Sequence, residues 1–139
     1  MKLKTIIGLA TILYACGDGL PTPDAYTPRN NIPVATHGIG VNIEKIDSKY
    51  EGVIACLSYG KVNFMVEIMS SGTYFNCGDA SPTGRCAGLY WDDLDLIQIP
   101  AKQDAFEHEL THHLTGSNKN TDERVIECGD GIDGLFTDE

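Results

Sequence analysis

Lys102-Gln103-Asp104-Ala105-Phe106-Glu107-His108-Glu109-Leu110-Thr111-His112-His113-Leu114-Thr115-Gly116 is the stretch on which the fold turns. Lys102 to Leu114 predicts a helix, with Asp104 available as N-cap to accept from a first-turn amide and Gly116 just past the end. Phe106, Leu110 and Leu114 recur at i, i+4 and i+8, an apolar stripe suited to packing on a sheet. His108 and His112 have the same four-residue spacing, but at about 100° per residue they stand about 200° around from Phe106 and Leu110. Two imidazoles one turn apart therefore project from the face opposite the expected core. His113 falls about 20° from the stripe, which reads as a partly buried histidine or a neighbour of a ligand rather than a ligand.

His108-Glu109-Leu110-Thr111-His112 is a His-Glu-x-x-His pattern with a physical reason behind its spacing. Residues four apart on a helix lie close enough for both imidazoles to reach one Zn²⁺ at about 2.0–2.1 Å. Glu109 lies beside them, placed to take a proton from water and pass it to a leaving amine. The pattern resembles that of zincin-fold zinc metallopeptidases. The resemblance implies a small α+β domain, a mixed twisted sheet packed on an active-site helix, with Zn²⁺ as cofactor and a peptide or protein as substrate. It makes His108 and His112 metal ligands and Glu109 the general base.

Catalytic zinc usually takes three protein ligands. The Gly and His that metzincins carry three and six residues after the second histidine are replaced here by Thr115 and Asn118. No histidine follows His113, so a third ligand from downstream must be an acid. Residues 120 to 129 read as a short second helix with a polar start and a glycine stop, on which Glu123 and Glu127 share a face. This is similar to the Glu-x-x-x-Asp of gluzincin peptidases and implies Glu123 as the third metal ligand, with Asp122 and Glu127 as alternatives. Glu123 also fits the fourth position of a capping box begun by Asn120. Tyr90, Tyr59 and Arg124 are available to stabilise a transition state.

Upstream, the pattern is one of strands. Ile39, Val41 and Ile43 alternate with small or polar residues, which predicts a half-buried strand. Val53 to Leu57 is a continuous apolar run, a central strand or a short helix. Val62, Phe64, Val66 and Ile68 alternate as a strand does, although Met65 and Met69 leave a helix open. Leu89 to Ile99 reads as a strand ended by Pro100. By the zincin resemblance, Leu94 to Ile99 is the edge strand along the cleft that pairs with substrate backbone.

Five cysteines are an odd number for a short chain. Lys2 and Lys4 precede an uncharged apolar run from Ile6 to Ala15, too short for the about 20 residues of a membrane-spanning helix. Leu13-Tyr14-Ala15-Cys16 resembles the lipobox of bacterial lipoproteins, which implies a signal peptide over 1–15 and lipidation of Cys16; ordinary secretory cleavage is the alternative. Gly17 after Cys16 resembles lipoproteins sorted to an outer membrane, where the host has one. Cys56, Cys77, Cys86 and Cys128 then remain for two disulfides, in three possible pairings. The turn-rich segment between Cys77 and Cys86 favours Cys77–Cys86 with Cys56–Cys128. A four-cysteine metal site is the rival reading, against which stands the lack of a Cys-x-x-Cys pair.

Residues 16–33, with four prolines, read as an extended tether to the membrane, leaving 34–139 as the metallopeptidase domain. The 139 residues carry 10 Lys+Arg against 20 Asp+Glu, and loss of Lys2 and Lys4 with the signal takes the net charge from −10 to −12. Such an excess repels phosphate backbones and argues against a nucleic-acid partner. Together these readings give an exported, lipid-anchored zinc metallopeptidase. The alternative from another class is a disulfide-stapled lipoprotein that binds a protein or peptide, its zinc helix structural or degenerate.

Overall fold

The computed structural model describes residues 19–59, 62–102 and 105–130. The signal over 1–15, the lipidation of Cys16 and the proposed cap Asp104 lie outside these residues.

Five strands form a mixed sheet in the order β1 (Ala25–Tyr26), β2 (Pro33–Ala35), β3 (Met65–Ile68), β7 (Leu96–Ile99) and β6 (Leu89–Trp91). β2, β3 and β7 run parallel, and β1 and β6 are antiparallel to their neighbours. Val34, Val66 and Ile97 stand in register across the three inner strands, all fully buried. The period-2 alternation then puts Ile68 and Ile99 on the same face, against α1 (Ile43–Leu57) and α2 (Phe106–Thr115). β4 (Phe75–Asn76) and β5 (Arg85–Cys86) form a separate hairpin, closed by the Cys77–Cys86 disulfide. The domain is therefore α+β with a mixed sheet and two disulfides, the second being Cys56–Cys128.

Of the alternation from Val62 to Ile68, Met65–Ile68 forms a strand and not the helix that Met65 and Met69 left open, whereas the alternation at Ile39, Val41 and Ile43 forms none. Asn42 accepts a hydrogen bond from the Lys45 amide at 3.1 Å and starts α1 there. From that cap, Ile46, Tyr50 and Val53 fall at i, i+4 and i+7 and are buried, a helical stripe that outweighs three alternating residues. Val53 to Leu57 is accordingly helical. Leu89 to Ile99 is a hairpin rather than one strand. Asp92–Leu94 makes a 3₁₀ turn and Asp95 adopts φ 50°, a left-handed conformation that Asp tolerates. The edge of the sheet on this side is thus β6, with β1 at the other edge, and β7 is an inner strand. The Pro-rich stretch from Ala25 onward lies in the sheet instead of forming a tether: β1 pairs with β2, and Thr27 and Ile32 in the connecting turn are buried.

Two ionic contacts, one half-exposed and one buried, fix α1. Asp47 accepts from Arg29 Nε and the Asn30 amide, both at 3.1 Å, and from the Asn30 side chain, tying the helix to the β1–β2 turn. Lys49 Nζ lies 3.2 Å from Glu107 Oε2 and links α1 to α2. At the far end of α1, Cys56 bonds to Cys128 in a π-helical segment, Val125–Asp130. That segment stands in place of the expected regular second helix. Among the described residues no helix is long and apolar enough to cross a membrane.

Candidate metal centre

α2 ends at Gly116, whose φ of 71° and N–H donation to the His112 carbonyl at 3.0 Å close the helix. At the other end Ala105 stands at the cap position with no side-chain hydrogen bond. Phe106 and Leu110 are buried against the sheet, as the apolar stripe requires. The histidine face is not left to solvent. The segment around Gly129 crosses it so closely that a Cβ there would stand 3.1 Å from both His108 Cα and Thr111 Oγ1. Glu107, Thr111 and His112 are consequently buried as well, and Thr111 donates to the Glu107 carbonyl at 2.7 Å.

The two imidazoles converge. Nε2 of His108 and Nε2 of His112 are 3.1 Å apart, with the rings 84° from coplanar. His112 Nδ1 donates to the Ser117 carbonyl at 2.6 Å, which leaves the lone pair of the neutral ring on Nε2. A backbone carbonyl behind a histidine is the arrangement that orients such a ring toward a metal. Asn120 Oδ1 is 3.0 Å from the same Nε2.

Glu109 is buried one residue along the helix, with its carboxylate against the backbone of Gly88 just before β6. A Cβ on Gly88 would stand 3.0 Å from Glu109 Oε2, so the glycine makes room for the acid. β6 thereby brings the sheet edge to Glu109. His113 packs on Phe64 and Tyr90 and approaches the Tyr90 hydroxyl at 3.0 Å. That hydroxyl donates to Asp92, and burial followed by this hydrogen bond pushes the Tyr90 phenol above its ordinary value.

The downstream acids do not join the pair. Glu123 and Glu127 are exposed. Asp122 caps the segment that follows, accepting from the Arg124 amide at 2.8 Å and from its guanidinium at 2.9 Å. The Arg124 side chain, then its backbone amide, holds the Asp122 carboxyl well below the usual carboxylate range. Asp122, not Asn120, is therefore the cap. Tyr59 is hydrogen-bonded to Arg124. Among the described residues, no group of three His, Cys, Asp or Glu side chains is gathered closely enough to hold a metal. His37 contacts Glu67 at 2.7 Å, away from the pair.

The donor chemistry at His108 and His112 suits zinc, but a third ligand from the expected acids does not. The residues missed by sequence reasoning are Asn120 and Gly88. Asn is outside the usual zinc donors, and Gly88 could be found only by noticing a small residue directly ahead of the edge strand. A cleft of about 870 Å³ between the start of α1 and the ends of the inner strands includes Lys45, Lys49 and Phe106 but no histidine. No protein-family model matches this chain, and neither a curated protein nor a solved structure does.

Proposed function

We propose that this chain is an exported zinc metallopeptidase of zincin-like architecture, anchored to a bacterial membrane through Cys16. The observation that carries the reading is the pair of Nε2 atoms 3.1 Å apart, one with its tautomer fixed by the Ser117 carbonyl, beside a buried Glu109. The formation of two disulfides by four of the five cysteines supports export to an oxidising compartment.

His108 and His112 hold the metal in this reading. A zinc ion bound between them would supply Lewis acidity toward a peptide carbonyl and toward water, whose pKa it would lower to about 7. Glu109 accepts a proton from the water as its oxygen adds to the carbonyl carbon, then delivers that proton to the amine as the C–N bond breaks. Its burial keeps bulk solvent from competing for the proton, and the absence of a side chain at Gly88 leaves room for its carboxylate next to the sheet edge. The outer edge of β6 offers backbone groups along which an extended peptide pairs. Tyr90 keeps its phenol proton at working pH and holds His113 beside the site.

The test is elemental analysis and peptide hydrolysis on the purified oxidised protein. About one zinc per chain is expected, and Glu109→Gln should keep the metal and lose about 10²–10⁴-fold in hydrolysis. A chain that binds no zinc overturns the enzyme reading. That result would favour the second reading, a partner-binding lipoprotein with a degenerate zinc helix, which the lack of a third gathered His, Cys, Asp or Glu among the described residues supports.

A further inference from the structure

His112 presents its Nε2 lone pair to two neighbours at nearly equal distance, His108 Nε2 at 3.1 Å and Asn120 Oδ1 at 3.0 Å. The Ser117 carbonyl only accepts, so the proton of the neutral His112 ring stays on Nδ1. An imidazole lone pair and an amide oxygen repel at 3.0 Å, and a shared cation turns that contact into an attraction. Ligands 2.0–2.1 Å from a tetrahedral zinc stand about 3.3–3.4 Å from one another. The separations of His112 Nε2 from His108 Nε2 and from Asn120 Oδ1 are both within a few tenths of an ångström of that spacing.

The turn that brings Asn120 here is built by its neighbours. Gly116 ends α2, the Ser117 carbonyl anchors His112, and Asp122, hydrogen-bonded to the Ser117 side chain and to Arg124, closes the loop behind Asn120. The same turn leaves Glu123 exposed.

Resting on the metallopeptidase reading, we propose that Asn120, through Oδ1, is the third protein donor to the metal held by His108 and His112, in the role expected of Glu123. The donor set is then wholly neutral, two imidazoles and an amide. A zinc ion in it keeps its full charge, at a cost in affinity relative to a carboxylate site.

The experiment measures zinc affinity by chelator competition, and the visible spectrum of the Co²⁺ form, on the full oxidised chain and three variants. Asn120→Ala should weaken zinc at least about tenfold and change the Co²⁺ spectrum. Asn120→Asp, which puts a carboxylate in the same place, should bind more tightly than Asn120→Ala and at least as tightly as the parent, so a folding defect cannot explain the series. Glu123→Gln should bind as the parent does. Weakening by Glu123→Gln with none by Asn120→Ala overturns the proposal and leaves the metallopeptidase reading standing. Asp no better than Ala at position 120 also overturns it, because the amide would then act through its N–H as a donor to His112. Failure of parent and Asn120→Asp alike to bind zinc overturns the metallopeptidase reading itself.

Discussion

Cutting the Cys56–Cys128 disulfide should cost more stability than cutting Cys77–Cys86, by an amount set by the loops they close. The first joins residues 72 apart and the second residues 9 apart. The chain-entropy relation gives about 4.4 kcal/mol for the longer loop and about 2.6 kcal/mol for the shorter at 25 °C. Burial of the cysteines does not separate the two bridges, since each has one buried cysteine, Cys128 and Cys86 respectively, so the loop length sets the difference. For a domain with a total stability of about 5–15 kcal/mol, the longer link is a large share. Urea unfolding of Cys56→Ala/Cys128→Ala and Cys77→Ala/Cys86→Ala beside the parent, analysed by linear extrapolation, measures both losses. We expect a gap of about 2 kcal/mol between the two variants. Equal losses, or a larger loss for the hairpin bridge, would refute the reasoning.

Gly88→Ala would place its Cβ 2.9 Å from Ala105 Cβ and 3.0 Å from Glu109 Oε2. The flexible carboxylate yields first, so hydrolysis should fall about tenfold or more for a stability cost of about 1–3 kcal/mol, with zinc content unchanged; an unaltered kcat/KM would show that Gly88 does not position the acid. Burial pushes the Asp47 carboxyl up, but hydrogen bonds from Asn30 and Arg29 prevail and hold it below 3.8. A depressed folded pKa means that its stabilisation is complete above that value and is lost as pH falls through the folded one. Melting temperatures followed from pH 6 to pH 2 should therefore drop more steeply for the parent than for Asp47→Asn, and parallel curves would rule the contribution out.

The parts of the fold legible in the sequence are those where no cap or turn overruled the periodicity. Val66 and Ile68 alternate into β3, and Phe106 and Leu110 lay α2 on it. Ile39 to Ile43 failed because a two-residue period over so few positions was overruled by the Asn42 cap and the longer stripe of Ile46, Tyr50 and Val53. The β6–β7 hairpin was hidden because Asp92, Asp93 and Asp95 look like surface acids until their turn geometry is known. At the site, spacing along one helix suffices to bring His108 and His112 together, since four residues is a helical contact. A third donor belongs to a loop whose path depends on Gly116, the Ser117 carbonyl and the Asp122 cap, none of which is periodic.

Three of the four polar residues buried on α2 have partners that position them. Glu107 meets Lys49 of α1, Thr111 meets the Glu107 carbonyl, and His112 meets the Ser117 carbonyl. The Thr111 bond is internal to α2, whereas Glu107 ties it to α1 and His112 ties it to the following turn, directional links that an apolar replacement at Glu107 or His112 would remove. The ties from Glu107 and His112 hold α2 against its neighbours, and the Ser117 carbonyl holds the His112 ring at its angle to His108. The excess of 20 acidic over 10 basic residues fits the same scheme. With neutral donors proposed at the centre, the ligands coordinate the cation but bring no charge of their own, so the long-range attraction comes from the field of the whole chain and zinc affinity should weaken as salt screens it.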